Sequence, residues 1–167
     1  MNPPPNPNPG SGPETPPSAV AGRSEVRLSV LGLLLMVAGL MGLLTSRSLF
    51  SPLVAVIVAQ VAAVVLLLWA RVTFGMRSFH AGANPTEGGL VTTGPYRFVR
   101  HPIYTAVCLF AWAGAAAHPT AASAGWSALV FAGGWIRMKC EERLVTRRYP
   151  EYRDYAARTR RMIPGIF

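Results

Sequence analysis

The 167-residue chain is 51% hydrophobic and only 14% charged, yet it carries a formal net charge of +9, whereas a soluble domain usually has about 25% charged residues. That balance excludes a disordered chain, which lacks the apolar content, and an ordinary cytosolic domain. It also excludes a simple nucleic-acid binder, whose basic groove needs a soluble scaffold, and leaves a small basic membrane protein.

Residues 1–27 form the first segment. Eight of the first seventeen residues are Pro, interleaved with Asn, Gly and Ser. Such a stretch cannot bury apolar surface and reads as an extended or disordered tail. It is either simply solvated or a ligand for a proline-reading module. Leu28 to Ser46 is then nineteen residues without a charge, and Ser48 to Ala70 is twenty-three. Each suffices for one membrane span, which needs about 20 apolar residues. The first run is longer than the roughly 7–15 residues of a signal-peptide core and follows a long tail, so it reads as a retained span. Gly32, Gly39 and Gly42 would let a neighbouring helix approach closely. Gln60 is expected to satisfy itself against a neighbouring helix. Neither run holds an ionisable residue, which argues against an ion or proton path.

Residues 71–101 form a connecting segment in which Gly94-Pro95 signals a turn and His101-Pro102 marks a helix start. Arg97, Arg100, His101 and Tyr104 therefore gather at a helix N-terminus, a natural seat for an anion. Pro102 to Ile136 follows, thirty-five residues without a charge, broken by His118-Pro119-Thr120. It reads as a tight hairpin of two spans, 102–117 and 121–136, each roughly 24 Å of helix. A re-entrant pair that never reaches the far side is the alternative.

Residues 137–167 return to the face from which His101 departed. There Glu141 and Glu142, expected at a helix C-terminus, would lie beside Arg100 and His101. Such a cleft suits a zwitterionic ligand that also carries a cation; the competing reading is interfacial charge anchoring helix ends. Gly133 and Gly134 would let something flat lie against the fourth span. Tyr149, Tyr152 and Tyr155 recur every three residues, as a pocket floor or an interfacial aromatic belt. Arg153, Arg158, Arg160 and Arg161 are expected on anionic headgroups, at about 1 kcal/mol each. Trp69, Trp112, Trp126 and Trp135 read as packing or interface anchors. Cys108 and Cys140 form neither a disulfide framework nor a metal pattern, and His80 and His118 have no metal-ligand spacing, so no metal is expected.

Of the sixteen Lys and Arg, fifteen fall before the first span, between the second and third, or after the fourth. Arg47 alone falls on the other side. The positive-inside rule then places both termini in the cytosol. The expected fold is all-α: about four transmembrane helices, the last two a tight hairpin, with a cytosolic C-terminal helical segment.

The run Gly94-Pro-Tyr-Arg-Phe-Val-Arg-His-Pro-Ile-Tyr104, then two apolar stretches, then Glu141-Glu142, Tyr149-Pro-Glu-Tyr-Arg-Asp-Tyr155 and Arg161-Met-Ile-Pro164 resembles the isoprenylcysteine carboxyl methyltransferase family. The resemblance covers residues 88–167. More distantly the chain is similar to phospholipid N-methyltransferases, which share the paired Glu. The resemblance implies an integral-membrane enzyme that binds S-adenosylmethionine in a cytosol-facing pocket roofed by the C-terminal segment. No strand–G-x-G-x-x-G–helix unit is present, in keeping with that. Carried over by motif, Arg100, His101, Pro102, Tyr104, Glu141 and Glu142 would bind the cofactor. Glu142 would also act in catalysis, with Arg147 or Arg148 orienting an acidic acceptor. The acceptor would be a lipophilic carboxylate, thiol or amine reaching the site from the lipid bilayer. Where the family commonly has Gly two residues after the Tyr, this chain has Ala106, whose methyl group would narrow the pocket unless the helix sits farther away. The alternative is a non-catalytic membrane protein that keeps the fold as a lipid-binding or assembly element. The sequence leaves the oligomeric state open.

Overall fold

The structure is a computed structural model that describes residues 22–75 and 89–166. The Pro-rich stretch up to residue 21, and Arg77, His80 and Glu87 of the connecting segment, lie outside the described residues. Among the described residues there are five α-helices and no strand: α1 (Arg23–Thr45), α2 (Val54–Phe74), α3 (Pro102–Ala116), α4 (Ala121–Arg148) and α5 (Tyr152–Arg158), with a 3-10 turn over Gly94–Arg97. An isolated parallel bridge joins Val99 to Arg160.

The helix ends differ from the apolar runs in three places. α1 begins at Arg23 rather than Leu28, so residues 23–27 belong to the helix and not to the tail. Glu25 explains this: its carboxylate accepts from the Gly22 amide at 3.2 Å, satisfying a donor that the helix start leaves open. α2 begins at Val54 rather than Ser48. Pro52 and a Ser46–Ser48 turn with Arg47 at a φ of 54° interrupt the chain there, although it stays apolar. α4 does not stop at Ile136 but runs 28 residues to Arg148, about 42 Å at the usual helical rise. The C-terminal segment therefore begins as a continuation of α4, and the Glu pair lies inside that helix instead of at its end. The hairpin turn falls where His118-Pro119-Thr120 suggests. Thr120 caps α4 by accepting from the Ser123 amide at 3.1 Å.

α1 lies against α4, α4 against α3 and α3 against α2. Each of these neighbours is antiparallel. Glu25 meets Arg147 while Gly42 meets Trp126. Tyr104 meets Glu141 while Trp112 meets Phe131. Gln60 reaches the Phe110 carbonyl while Phe74 meets Tyr96. One end of the bundle thus gathers the start of α1, the end of α2, the start of α3, the end of α4 and all of α5. The opposite end holds the 46–53 connection and the His118 turn.

Glycines set the α1–α4 spacing. A Cβ on Gly32 would stand 2.7 Å from the Gly133 carbonyl oxygen, and one on Gly133 would stand 2.7 Å from the Met36 amide nitrogen. Only two bare backbones fit that crossing. Gly133 is therefore used up by α1 and offers no platform for a ligand, while Gly134 faces Tyr104. Gln60 is buried and donates to the Leu49 carbonyl at 2.7 Å, as well as to Phe110, so its polarity is satisfied within the protein. The outer faces of α1 and α2 are apolar: Leu34, Val54, Val58, Leu68 and Val72 are all exposed. α1 and α2 are each long and apolar enough to cross a membrane, and α3 is a shorter apolar helix.

Candidate active site

The site is built where α3 starts. Gly94 at a φ of 57° and a 3-10 turn carry the chain past α2 so closely that a Cβ would stand 2.9 Å from the Thr73 methyl. Glycine alone accepts both that backbone and that contact. Pro102 then occupies the first position of α3, with His101 as the residue before it. The C-terminal segment is laid across this corner by backbone hydrogen bonds, the Arg100 amide to the Arg160 carbonyl at 2.7 Å and the His101 amide to the Arg161 carbonyl at 2.9 Å. Thr105 donates to the Met162 carbonyl, and the Tyr155 hydroxyl donates to the Tyr96 carbonyl at 2.6 Å. Burial pushes the Tyr155 phenol up to about 12, so it remains a donor. Tyr152 and Tyr155 of α5 face inward and are buried, while Tyr149 falls at the end of α4.

From α4, Glu141 and Glu142 straddle the His101 ring. Adjacent helical residues point about 100° apart, so one carboxylate stands near each ring nitrogen. Nε2 is 3.3 Å from Glu142 and Nδ1 is 3.8 Å from Glu141. Glu142 also accepts from Arg100 at 3.1 Å and from Arg161 at 3.2 Å. Burial pushes its pKa up, but the hydrogen bond and charge of His101, with the charges of Arg161 and Arg100, outweigh this and hold it at about 2. The anion beside Arg100 and His101 is therefore the chain's own carboxylate. Arg100 further donates to the carbonyls of Ala156 and Thr159. Glu141 accepts from the Tyr104 hydroxyl at 2.5 Å, and Arg137 stands 3.7 Å away, one helical turn earlier.

Arg100, His101, Pro102, Tyr104, Glu141 and Glu142 thus converge at one end of the bundle. Arg147 does not join them: it lies on another face of α4, 2.9 Å from Glu25, and is half exposed. Among the described residues, Arg148 makes no ion pair with either carboxylate. Besides Arg100, the arginines that reach the two carboxylates are Arg137 and Arg161. Arg137 is buried, and its only sequence mark is its four-residue spacing to Glu141. Arg161 lies on Glu142 and over the Trp135 ring, 5.5 Å from its centroid, rather than on lipid headgroups. Lys139 stands over the same ring at 5.4 Å. Ala106 is 2% exposed, so its methyl is held within the protein's own packing.

The phospholipid methyltransferase family matches residues 53–152, from the start of α2 into α5. This chain belongs to the phospholipid methyltransferase family. The match agrees with the resemblance carried by the His101–Tyr104 and Glu141–Glu142 motifs, and it also takes in α2. The chain is similar to the nickel-cobalt-cadmium resistance protein NccN of Alcaligenes xylosoxydans xylosoxydans, with 40% identity over 89 residues, which is 52% of this chain and 40% of that protein. The chain therefore spans about two fifths of NccN's own length. No solved structure matches it.

Proposed function

We propose that this chain is an integral-membrane methyltransferase that uses S-adenosylmethionine and methylates a lipophilic acceptor at the cytosolic membrane face. The observation that carries the reading is the bracket of Glu141 and Glu142 around His101, in a chain of a methyltransferase family. The donor set suits such a cofactor. A carboxylate can take its ammonium and hydroxyl groups, and Arg100 can take its carboxylate. When bound, the cofactor supplies an electrophilic methyl group on a sulfonium.

The protein's part is orientation and exclusion of water. The C-terminal segment, tied to Arg100, His101 and Thr105, covers the corner where the groups meet. A carboxylate acceptor needs no base, only an arginine to hold it, and Arg161 replaces Arg147 and Arg148 in that role. An amine or thiol acceptor must lose a proton, for which His101 or Glu141 is in reach of the same corner. Four spans, α1, α2, α3 and the apolar part of α4, put fifteen of the sixteen Lys and Arg at the site end or in the segments leading to it. That asymmetry supports both termini and the site on the cytosolic side.

Calorimetry on the purified, detergent-solubilised protein tests the reading. Glu142→Gln or His101→Ala is expected to abolish S-adenosylmethionine binding; unchanged affinity in both variants would overturn the assignment. Transfer of radiolabelled methyl groups into total lipid and protein extracts then identifies the acceptor class.

A further inference from the structure

We propose that Arg137 is the positioning residue of this site: acting through Tyr104, it aims Glu141 so that this carboxylate offers its open acceptor sites to the ligand, while Glu142 holds the C-terminal segment in place around it. The inference rests on the cofactor reading above.

Arg137 is the first charge after the apolar run of α4 and is only 8% exposed. Its guanidinium joins three helices. Nη1 donates to the Ser29 carbonyl of α1 at 3.1 Å, Nε donates to the Tyr104 hydroxyl of α3 at 2.8 Å, and Nη2 stands 3.7 Å from Glu141 of α4. A buried guanidinium is tolerated only with such partners. Arginine has donors and no acceptor. The Tyr104 oxygen must therefore accept from Arg137, and its own proton must go elsewhere. It goes to Glu141 Oε1 at 2.5 Å. The direction of the whole relay, Arg137 to Tyr104 to Glu141, follows from the chemistry of the guanidinium.

The two carboxylates end up in different states. Glu142 is 14% exposed at its side chain; Oε1 meets Arg100, His101 and Arg161, and Oε2 meets Arg161. It is the hub that ties α3 to the C-terminal segment. Glu141 is 29% exposed; the relay engages Oε1, while Oε2 faces His101 Nδ1 at 3.8 Å, beyond hydrogen-bond distance. A carboxylate accepts at about four lone-pair sites, so Glu141 retains capacity for the ammonium or hydroxyl groups of a ligand. Arg137 fixes where that capacity points.

The test is S-adenosylmethionine affinity by calorimetry, with thermal melts alongside, on the full chain in detergent. Arg137→Gln, Tyr104→Phe and Glu141→Gln are each expected to weaken binding roughly tenfold or more, as for loss of a hydrogen bond to a charged group. The Arg137→Gln/Tyr104→Phe double variant is expected to lose little beyond the larger single loss, because both act on one relay. Arg137→Lys, which keeps the charge, should recover part of the affinity. Wild-type affinity in Tyr104→Phe and Glu141→Gln overturns the proposal, as does full additivity in the double variant. If Arg137→Gln does not fold, those two variants, which keep the buried guanidinium, decide the matter. Absence of saturable binding to the wild-type protein overturns the cofactor reading itself, a result distinct from wild-type binding with unaffected variants.

Discussion

Arg161 donates from Nε to both carboxylate oxygens of Glu142, at 3.2 Å each, across nineteen residues of chain. The pair closes the loop between the long α4 and the segment that runs back over the start of α3. It also brings to the Glu pair the arginine proposed to hold the acceptor. Arg161→Gln is expected to lower methyl transfer at least tenfold, by the roughly 1.5–3 kcal/mol of a charged hydrogen bond. Arg147→Gln, at a half-exposed ion pair, is expected to change thermal stability by no more than about 1 kcal/mol. Equal losses of transfer in the two variants would return the acceptor role to Arg147.

The acid limb of stability reports on Glu142. Its folded pKa, about 2, lies below the ordinary value of 4.5, so its ionised form stabilises the fold. That contribution is fully present above pH 4.5 and is lost as the pH falls toward 2. Melting temperatures measured across that window should fall more steeply for the wild type than for Glu142→Gln. Parallel curves would mean that the carboxylate is not held by His101, Arg161 and Arg100.

The α1–α4 crossing has no room for a side chain at Gly133. Gly133→Val is expected to destabilise the protein by roughly 1–3 kcal/mol, the usual range for overpacking. Gly125→Val, where nothing lies within 4 Å of the added carbon, should melt far closer to the wild type. Thermal melts in detergent compare the two.

Sidedness is open to direct labelling. Cys108 and Cys140 are buried, and both can be replaced by Ala to give a background without thiols. In intact cells, a membrane-impermeant maleimide should then label Arg47→Cys but label Arg153→Cys only after lysis. The reverse pattern would invert the proposed topology.

The sequence and the structure agree best where polarity changes sharply. The hairpin at His118-Pro119-Thr120 was legible because proline and polar residues stop an apolar helix, and the meeting of His101 with the Glu pair follows from that turn. Hydropathy marks where a chain meets a solvent, not where a helix ends. That is why α4 overruns Ile136, α1 starts before Leu28 and the apolar stretch 48–53 is not helical. Arg137 and Arg161 were hidden for a different reason. Nine Lys and Arg follow Ile136, and only the tertiary positions of Tyr104, Ser29 and Glu142 set these two apart.

The α1–α4 contact joins the first described helix to one made more than seventy residues later. During synthesis the glycine-lined flank of α1 has no partner until residue 133 and its neighbours have been made. A chain arrested before the second half of α4 would carry α2 and α3 already able to pair, with α1 lacking most of its packing. The site, which needs Glu141, Glu142 and the segment through Met162, therefore cannot exist until residue 162 has been made.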